Sequence, residues 1–257
     1  MLAVGALAAG PPAAGAAARP AAAAPVASPV VLTRFGAVRG EVSGGVREFL
    51  GIPYAAPPTG NLRWHAPEPP APWRGVRPAT AFAPHCPQSA SAFGEASTSE
   101  NCLFVNVFAP AGARPGASPV LVWIHGGALV TGEGDDYDPI ALVRDGITVV
   151  TIKYLLGALG FLADAPLATP AGDAGNYGLM DQQAALRWVA GGIAGFGGNP
   201  RNVTIAGESA GGVSVLAQLA SPGARGLFQR AIVESGTHNV TENTLAAAET
   251  AGAALAA

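Results

Sequence analysis

Charge is scarce in this chain: Asp, Glu, Lys and Arg make up 12% of its 257 residues and leave a net charge of −3. That excludes both a basic stripe able to neutralise phosphates and an acidic tail. Nucleic acid is therefore not an expected partner, and a small uncharged or weakly charged ligand is. Cysteine is nearly absent too. Only Cys86 and Cys102 occur, and with His85 as their one neighbouring ligand they fall short of the four a structural zinc needs. The pair fits one disulfide, as in an exported protein, or two buried thiols. No apolar run is long enough for a bilayer, since Pro11-Pro12 interrupts the N-terminal stretch well short of the roughly 20 residues a spanning helix needs. Neither an internal repeat nor an interdomain linker follows residue 30.

Residues 1–29 are nearly all Ala, Gly, Pro, Val and Leu, with Arg19 the only charged side chain. This segment reads as signal-peptide-like or disordered rather than as part of a folded domain. Leu2 to Ala9 suit an apolar signal core and Ala22 to Ala24 a cleavage site, although no Lys or Arg precedes the core. A secreted protein without stable membrane insertion is the expectation, and the folded domain is expected to run from residue 30 to 257.

What the remainder has is apolar substance. The hydrophobic fraction is 49% and the mean hydropathy +0.32, enough for one large α/β core. Val30-Val31-Leu32, Ala37-Val38 and Val46 to Leu50 read as antiparallel edge strands. Prolines then recur every few residues from Gly51 to Pro87 and predict a long ordered loop. Val120 to Ile124, Ile147 to Ile152, Val203 to Ala206 and Ala231 to Val233 are continuous apolar runs, as expected of parallel strands buried on both faces. The clearest helix spans Leu179 to Ile193, with Leu179, Leu186, Ala190 and Ile193 as its apolar stripe and Asp181, Gln182 and Arg187 off it. Strand alternating with helix predicts a doubly wound sheet with its ligand crevice at the carboxyl ends of the strands.

Two glycine-rich loops follow strands at that end. Gly207-Glu208-Ser209-Ala210-Gly211 stands between an apolar strand and a helix-compatible stretch, the setting a G-x-S-x-G nucleophile elbow requires. A serine hydroxyl is a weak nucleophile and needs a sharp turn beside a base, so Ser209 is the candidate nucleophile. The loop His125-Gly126-Gly127-Ala128 can aim backbone N–H groups at an oxyanion, with the N–H of Ala210 as a further donor. His125 is read as orienting that loop rather than as the base.

These segments, with others, resemble the type-B carboxylesterases, a family that includes the cholinesterases. Phe49-Leu50-Gly51-Ile52-Pro53-Tyr54-Ala55 with Pro57-Pro58, Arg63-Trp64 and Trp73-Arg74-Gly75 is similar to the family's opening signature. Ser99-Glu100-Asn101-Cys102-Leu103 with Asn106 resembles its second, where Asp more often stands at the position of Asn101. Gly157 to Leu162, Gly175 to Leu179 with Asp181-Gln182, and Phe196 to Pro200 follow in the family's order, so that the resemblance covers residues 30–257. It implies an α/β-hydrolase fold with a mostly parallel, doubly wound sheet and N-terminal antiparallel strands. It also implies a Cys86–Cys102 disulfide, Ser209 as nucleophile, an oxyanion hole from Gly127, Ala128 and Ala210, and ester substrates, with no cofactor or metal. Gly126 and Glu208 would support the site, Glu208 as a buried hydrogen-bonding partner. The family more often has glycine where Ala128 stands.

Two departures qualify the resemblance. The family's Asn-Tyr-Arg is Lys153-Tyr154-Leu155 here, which removes an arginine expected to pair with a carboxylate such as Asp181. The family's triad acid and histidine lie in the second half of a chain about twice this length, so the fold is expected to be truncated on its C-terminal side. His238 with Glu234 or Glu242 is the only substitute dyad within reach, against a plain loop histidine. The expectation is the N-terminal half of a secreted serine carboxylesterase, with an inactive truncated hydrolase or a non-catalytic binding protein on the same scaffold as the alternatives.

Overall fold

The computed structural model describes residues 29–167, 174–236 and 244–256; the leader-like segment lies outside them, save Pro29. Strands β1 (Val30–Thr33), β2 (Gly36–Arg39), β3 (Glu41–Ser43) and β4 (Val46–Pro53) open the chain, and β5 (Val76–Pro78) follows. β1, β2 and β5 make a small three-stranded sheet. The remaining strands are β6 (Phe104–Pro110), β7 (Ser118–Ile124), β8 (Thr148–Ile152), β9 (Gly198–Glu208) and β10 (Arg230–Glu234). They join β3 and β4 in a seven-stranded sheet of order β10-β9-β7-β8-β6-β4-β3. Pairing is parallel from β10 to β8 and antiparallel from β8 through β6 and β4 to β3.

The helices are α1 (Ile140–Arg144), α2 (Gly157–Phe161), α3 (Tyr177–Gly192), α4 (Ala210–Ala220) and α5 (Leu245–Ala256). Because successive strand residues point to opposite faces, neighbours such as Val149 and Val150 enter different cores. Val150 joins the main cluster with Val122, Val107, Ile205 and the α3 residues Leu186 and Val189. Val149 joins Phe108, Leu50 and Val143 of α1 in a smaller cluster on the other face. Helices therefore cover both faces of the central strands, as continuous apolar runs require.

Three expectations need correction. β10 is an edge strand and not doubly buried: Ile232 is 43% and Val233 37% exposed, because β10 pairs only with β9 in the sheet order. The buried face of α3 consists of Tyr177, Gly178, Asp181, Gln182, Ala185, Leu186, Trp188 and Val189. Asp181 and Gln182 thus lie inside the stripe that apolarity alone places them outside. Gln182 is accommodated by donating to Ser214 Oγ (3.0 Å) and accepting from Gln218 Nε2 (3.0 Å). Thirdly, β5 interrupts the proline-rich loop, and β6 was not recognisable as a strand since Asn106 breaks its apolar run. That side chain is satisfied by the Gly51 N–H (2.9 Å) and by donating to Thr151 Oγ1 (3.0 Å).

The loop after β5 is fastened by the Cys86–Cys102 disulfide, with Cα atoms 5.0 Å apart, and by a two-pronged Arg63–Glu100 ion pair (2.8 and 2.6 Å). Closing a loop of this length contributes about 3 kcal/mol in the chain-entropy account. Replacing both cysteines with serine is expected to lower the melting temperature by about 6–12 °C, read by calorimetry on the purified chain.

Candidate active site

The parallel strands end level with one another. Ile124 at the end of β7 pairs with Ile152 of β8 and Gly207 of β9, so His125, Lys153 and Ser209 emerge at one edge of the sheet. This is the carboxyl edge, where doubly wound sheets place their ligands.

Ser209 forms the turn from β9 into α4 with φ 55° and ψ −121°, a conformation that costs of order 1–3 kcal/mol for a residue with a side chain and survives only where its surroundings enforce it. Here the Ser209 N–H donates to the Glu234 carbonyl at 2.8 Å. The turn is also tight against β7. A Cβ on Gly211 would lie 2.1 Å from the Ile124 carbonyl oxygen and 2.8 Å from that of His125. Both obstacles are backbone. Gly211→Ala is therefore expected to destabilise the fold by about 3 kcal/mol or more, with denaturant melts as the check. Serine is a favoured helix N-cap, yet the Ser209 hydroxyl makes no capping bond in α4, although it sits at the positive end of the helix dipole.

The loop after β7 faces this turn. A Cβ on Gly126 would lie 2.7 Å from the Glu208 carbonyl and 3.2 Å from Ser209 Cβ, so glycine lets the two turns approach. Gly127 (φ 94°) and Ala128 (φ 56°) reverse the chain, and Val130 and Thr131 donate back to the Gly127 carbonyl at 3.1 and 3.0 Å. Among the described residues the N–H groups of Gly127 and Ala128 have no acceptor. A cleft of about 550 Å³ is bordered by Ser209, Glu208, Gly127, Ala128, Asp136 and Tyr137. A second cleft of about 490 Å³ shares Ala128 with it and is bordered also by Ala248, Ala251 and Leu255 of α5.

Comparison with known proteins places the chain in a family. A family model described as the carboxylesterase family matches residues 27–256. The chain belongs to the carboxylesterase family. The para-nitrobenzyl esterase of Bacillus subtilis is 47% identical over 231 residues, which cover 86% of this chain and 46% of that protein. The human cocaine esterase is 46% identical over 229 residues, covering 81% and 40% respectively. A solved para-nitrobenzyl esterase superposes with TM-score 0.82 at 45% identity, over 88% of this chain and 47% of that one. A carboxylesterase of Geobacillus stearothermophilus gives 0.80 at 43% identity, over 87% and 47%. The fold is thus that of the α/β-hydrolases, and the chain spans about half the length of the carboxylesterases it matches.

Within this carboxylesterase fold, His125 is 1% exposed, and burial pushes its imidazole down to about 4. The neutral ring donates from Nδ1 to the Gly126 carbonyl (2.9 Å) and stacks on Tyr154, 4.4 Å between centroids. Tyr154 donates to the His125 carbonyl at 2.8 Å. These contacts tie the His125 ring and carbonyl to the loop it precedes and to Tyr154. His65 is bonded to its own loop, to the Arg63 carbonyl. Glu234 ends β10, one strand from Ser209; His238 and Glu242 lie outside the described residues, so the substitute dyad is not assembled among those described.

The sequence reading missed a polar cluster beside the Gly126–Gly132 turn. His85 Nδ1 meets Glu133 Oε2 at 2.6 Å and Nε2 meets Asp135 Oδ2 at 2.9 Å, while Lys153 Nζ lies 3.1 Å from Asp135 Oδ1. The ligand atoms of His85, Glu133 and Asp135 are close enough together to suggest a metal. The carboxylates, however, occupy different nitrogens of one ring, and the Lys153 ammonium already holds Asp135. The cluster is a chain of close polar contacts ending in the Lys153–Asp135 ion pair. No sequence motif joins residues 85, 133, 135 and 153, which meet only through the fold.

Proposed function

We propose that residues 30–257 form part of an α/β-hydrolase domain carrying the nucleophile and oxyanion hole of a serine carboxylesterase acting on small carboxylic esters. The observation that carries this reading is Ser209 held at φ 55°, beside a loop whose Gly127 and Ala128 N–H groups are left without acceptors among the described residues.

In this reading Ser209 Oγ attacks the ester carbonyl carbon as its proton passes to a histidine from outside the described residues. The carbonyl π electrons move to oxygen, and the oxyanion accepts hydrogen bonds from the N–H groups of Gly127, Ala128 and Ala210, the last at the start of α4. Collapse breaks the carbon–oxygen bond to the alcohol, which leaves with the histidine's proton. Water then attacks the acyl-enzyme by the same route and releases the acid. No step calls for a metal or organic cofactor. Gly126 gives the close approach of the two turns, while Glu208 borders the cleft as a supporting group. Export is part of the proposal, supported by the leader-like composition of residues 1–29 and by the disulfide.

The test is fluorophosphonate labelling of the full-length gene product, followed by peptide mass spectrometry. Label on Ser209 is the expected result. Intact ester hydrolysis with label elsewhere would refute the assignment, and absence of both would favour a non-catalytic binding protein on this scaffold.

A further inference from the structure

We infer that His85, as a doubly protonated imidazolium, is a positioning residue that clamps the oxyanion loop, so that the loop is held most tightly while His85 keeps both ring protons. The inference rests on the reading of residues 126–128 as an oxyanion loop.

The argument is one of hydrogen-bond capacity. An ionised carboxylate accepts and cannot donate. His85 faces one on each nitrogen, Glu133 at 2.6 Å and Asp135 at 2.9 Å, and a neutral imidazole has only one N–H to offer. With both carboxylates ionised, the pair of contacts needs the imidazolium. The ring is largely enclosed, with side-chain exposures of 17% for His85, 5% for Glu133 and 12% for Asp135, so water replaces a lost partner poorly and charge-assisted bonds count for more than at the surface.

The clamp joins three segments. His85 adjoins Cys86 of the disulfide, and its carbonyl accepts from Ser97 Oγ at 2.7 Å. Lys153, just past β8, pairs with Asp135 (3.1 Å) and donates to the Ala83 carbonyl at 2.6 Å. Glu133 and Asp135 directly follow the Gly126–Gly132 turn. Burial raises the proton affinity of Glu133, His85 lowers it and Asp136 raises it further. His125 is the other titratable group facing the cluster. With His85 charged, two cations face Glu133, Asp135 and the neighbouring Asp136; with His85 neutral, only Lys153 remains, and one carboxylate confronts an imidazole lone pair.

A second fastening is indifferent to pH. Gln88 Oε1 accepts from the Gly132 N–H (2.8 Å) and Thr131 Oγ1 (2.7 Å), while Nε2 donates to the Gly132 carbonyl at 3.1 Å. Loss of the His85 proton should therefore loosen the loop without unfolding the chain. Local opening of this kind is read by amide exchange. The reporters are the N–H groups of Val130, Thr131 and Gly132, all bonded within the loop or to Gln88.

The experiment follows those amides by NMR hydrogen exchange in this chain, corrected for intrinsic pH dependence, while the His85 ring is titrated in the same samples. Protection at the three reporters is expected to fall about tenfold or more in step with His85 deprotonation, the effect of losing one charge-assisted hydrogen bond, with amides of β7 and α3 unmoved. Glu133→Gln supplies an amide N–H to the bare nitrogen of a neutral ring and is expected to keep protection while abolishing the pH step. His85→Phe is expected to show low protection at every pH; if it does not fold, the titration and Glu133→Gln still decide. Flat reporter amides through the His85 titration, or a persisting step in Glu133→Gln, would overturn the inference. None of these readouts uses Ser209. A flat profile with Ser209 labelled sinks only the clamp, and a pH step with Ser209 unlabelled sinks only the esterase reading.

Discussion

Ser209→Ala is expected to remove ester turnover from the full-length gene product by a factor of about 10⁶, the scale of nucleophile loss in another serine hydrolase. The same variant is expected to abolish fluorophosphonate labelling while folding normally. The two expectations are linked through the geometry. The hydroxyl makes no capping bond to α4, so its removal takes nothing from the helix, and the strained turn is held by the Ser209 N–H to the Glu234 carbonyl, which alanine retains. A residual rate of about 10³–10⁴ over water is expected to persist from the oxyanion hole and binding. Turnover within tenfold of the parent would mean that the reaction runs on another group. A large loss of melting temperature in Ser209→Ala would mean that the hydroxyl is structural after all.

The legibility of this site in the sequence depended on how local each signal was. Ser209 and the Gly126-Gly127 loop were readable because each follows an apolar strand directly, and the register pairing Ile124 with Gly207 then brings the two turns together. The cysteine pair left a choice between disulfide and thiols that spacing alone did not resolve, and the fold closes it as a bridge. β10 was readable as a strand but not as an edge, because the order of strands in a sheet is a long-range property. The His85 cluster was invisible for a related reason: its members come from the disulfide loop, the segment following the loop after β7 and the residue after β8, and each is an ordinary polar residue until topology assembles them. In α3, apolar periodicity misassigned Asp181 and Gln182 because buried polar residues break the pattern that periodicity detects.

Asp181 carries the second large effect. The sequence led us to expect a buried charge left unpaired by Leu155 in place of arginine. Asp181 is indeed buried, at 2% exposure, and its partner among the described residues is the Leu155 N–H, which donates to Oδ2 at 3.1 Å. Burial outweighs that bond and pushes the carboxyl up to about 8. The acid is therefore held protonated through the neutral range, so the expectation of an unpaired charge is corrected to one of a neutral acid. A carboxyl raised in the folded state penalises folding as pH climbs above its ordinary value near 3.8 toward 8, and the full penalty is present beyond that. At about 1.4 kcal/mol for each pH unit of displacement, it approaches about 6 kcal/mol at high pH. Asp181→Asn keeps the shape and the acceptor for Leu155 but cannot ionise. Relative to the parent, its melting temperature is expected to rise by about 12–24 °C between pH 3.5 and pH 9, with any constant offset reflecting the new amide N–H groups that need acceptors. Parallel melting curves across this range would show that Asp181 ionises without cost, through water or a shift of α3 that exposes it. A gain already complete at pH 5 would show that the carboxyl is charged there, and an arginine at position 155 would then be its natural remedy.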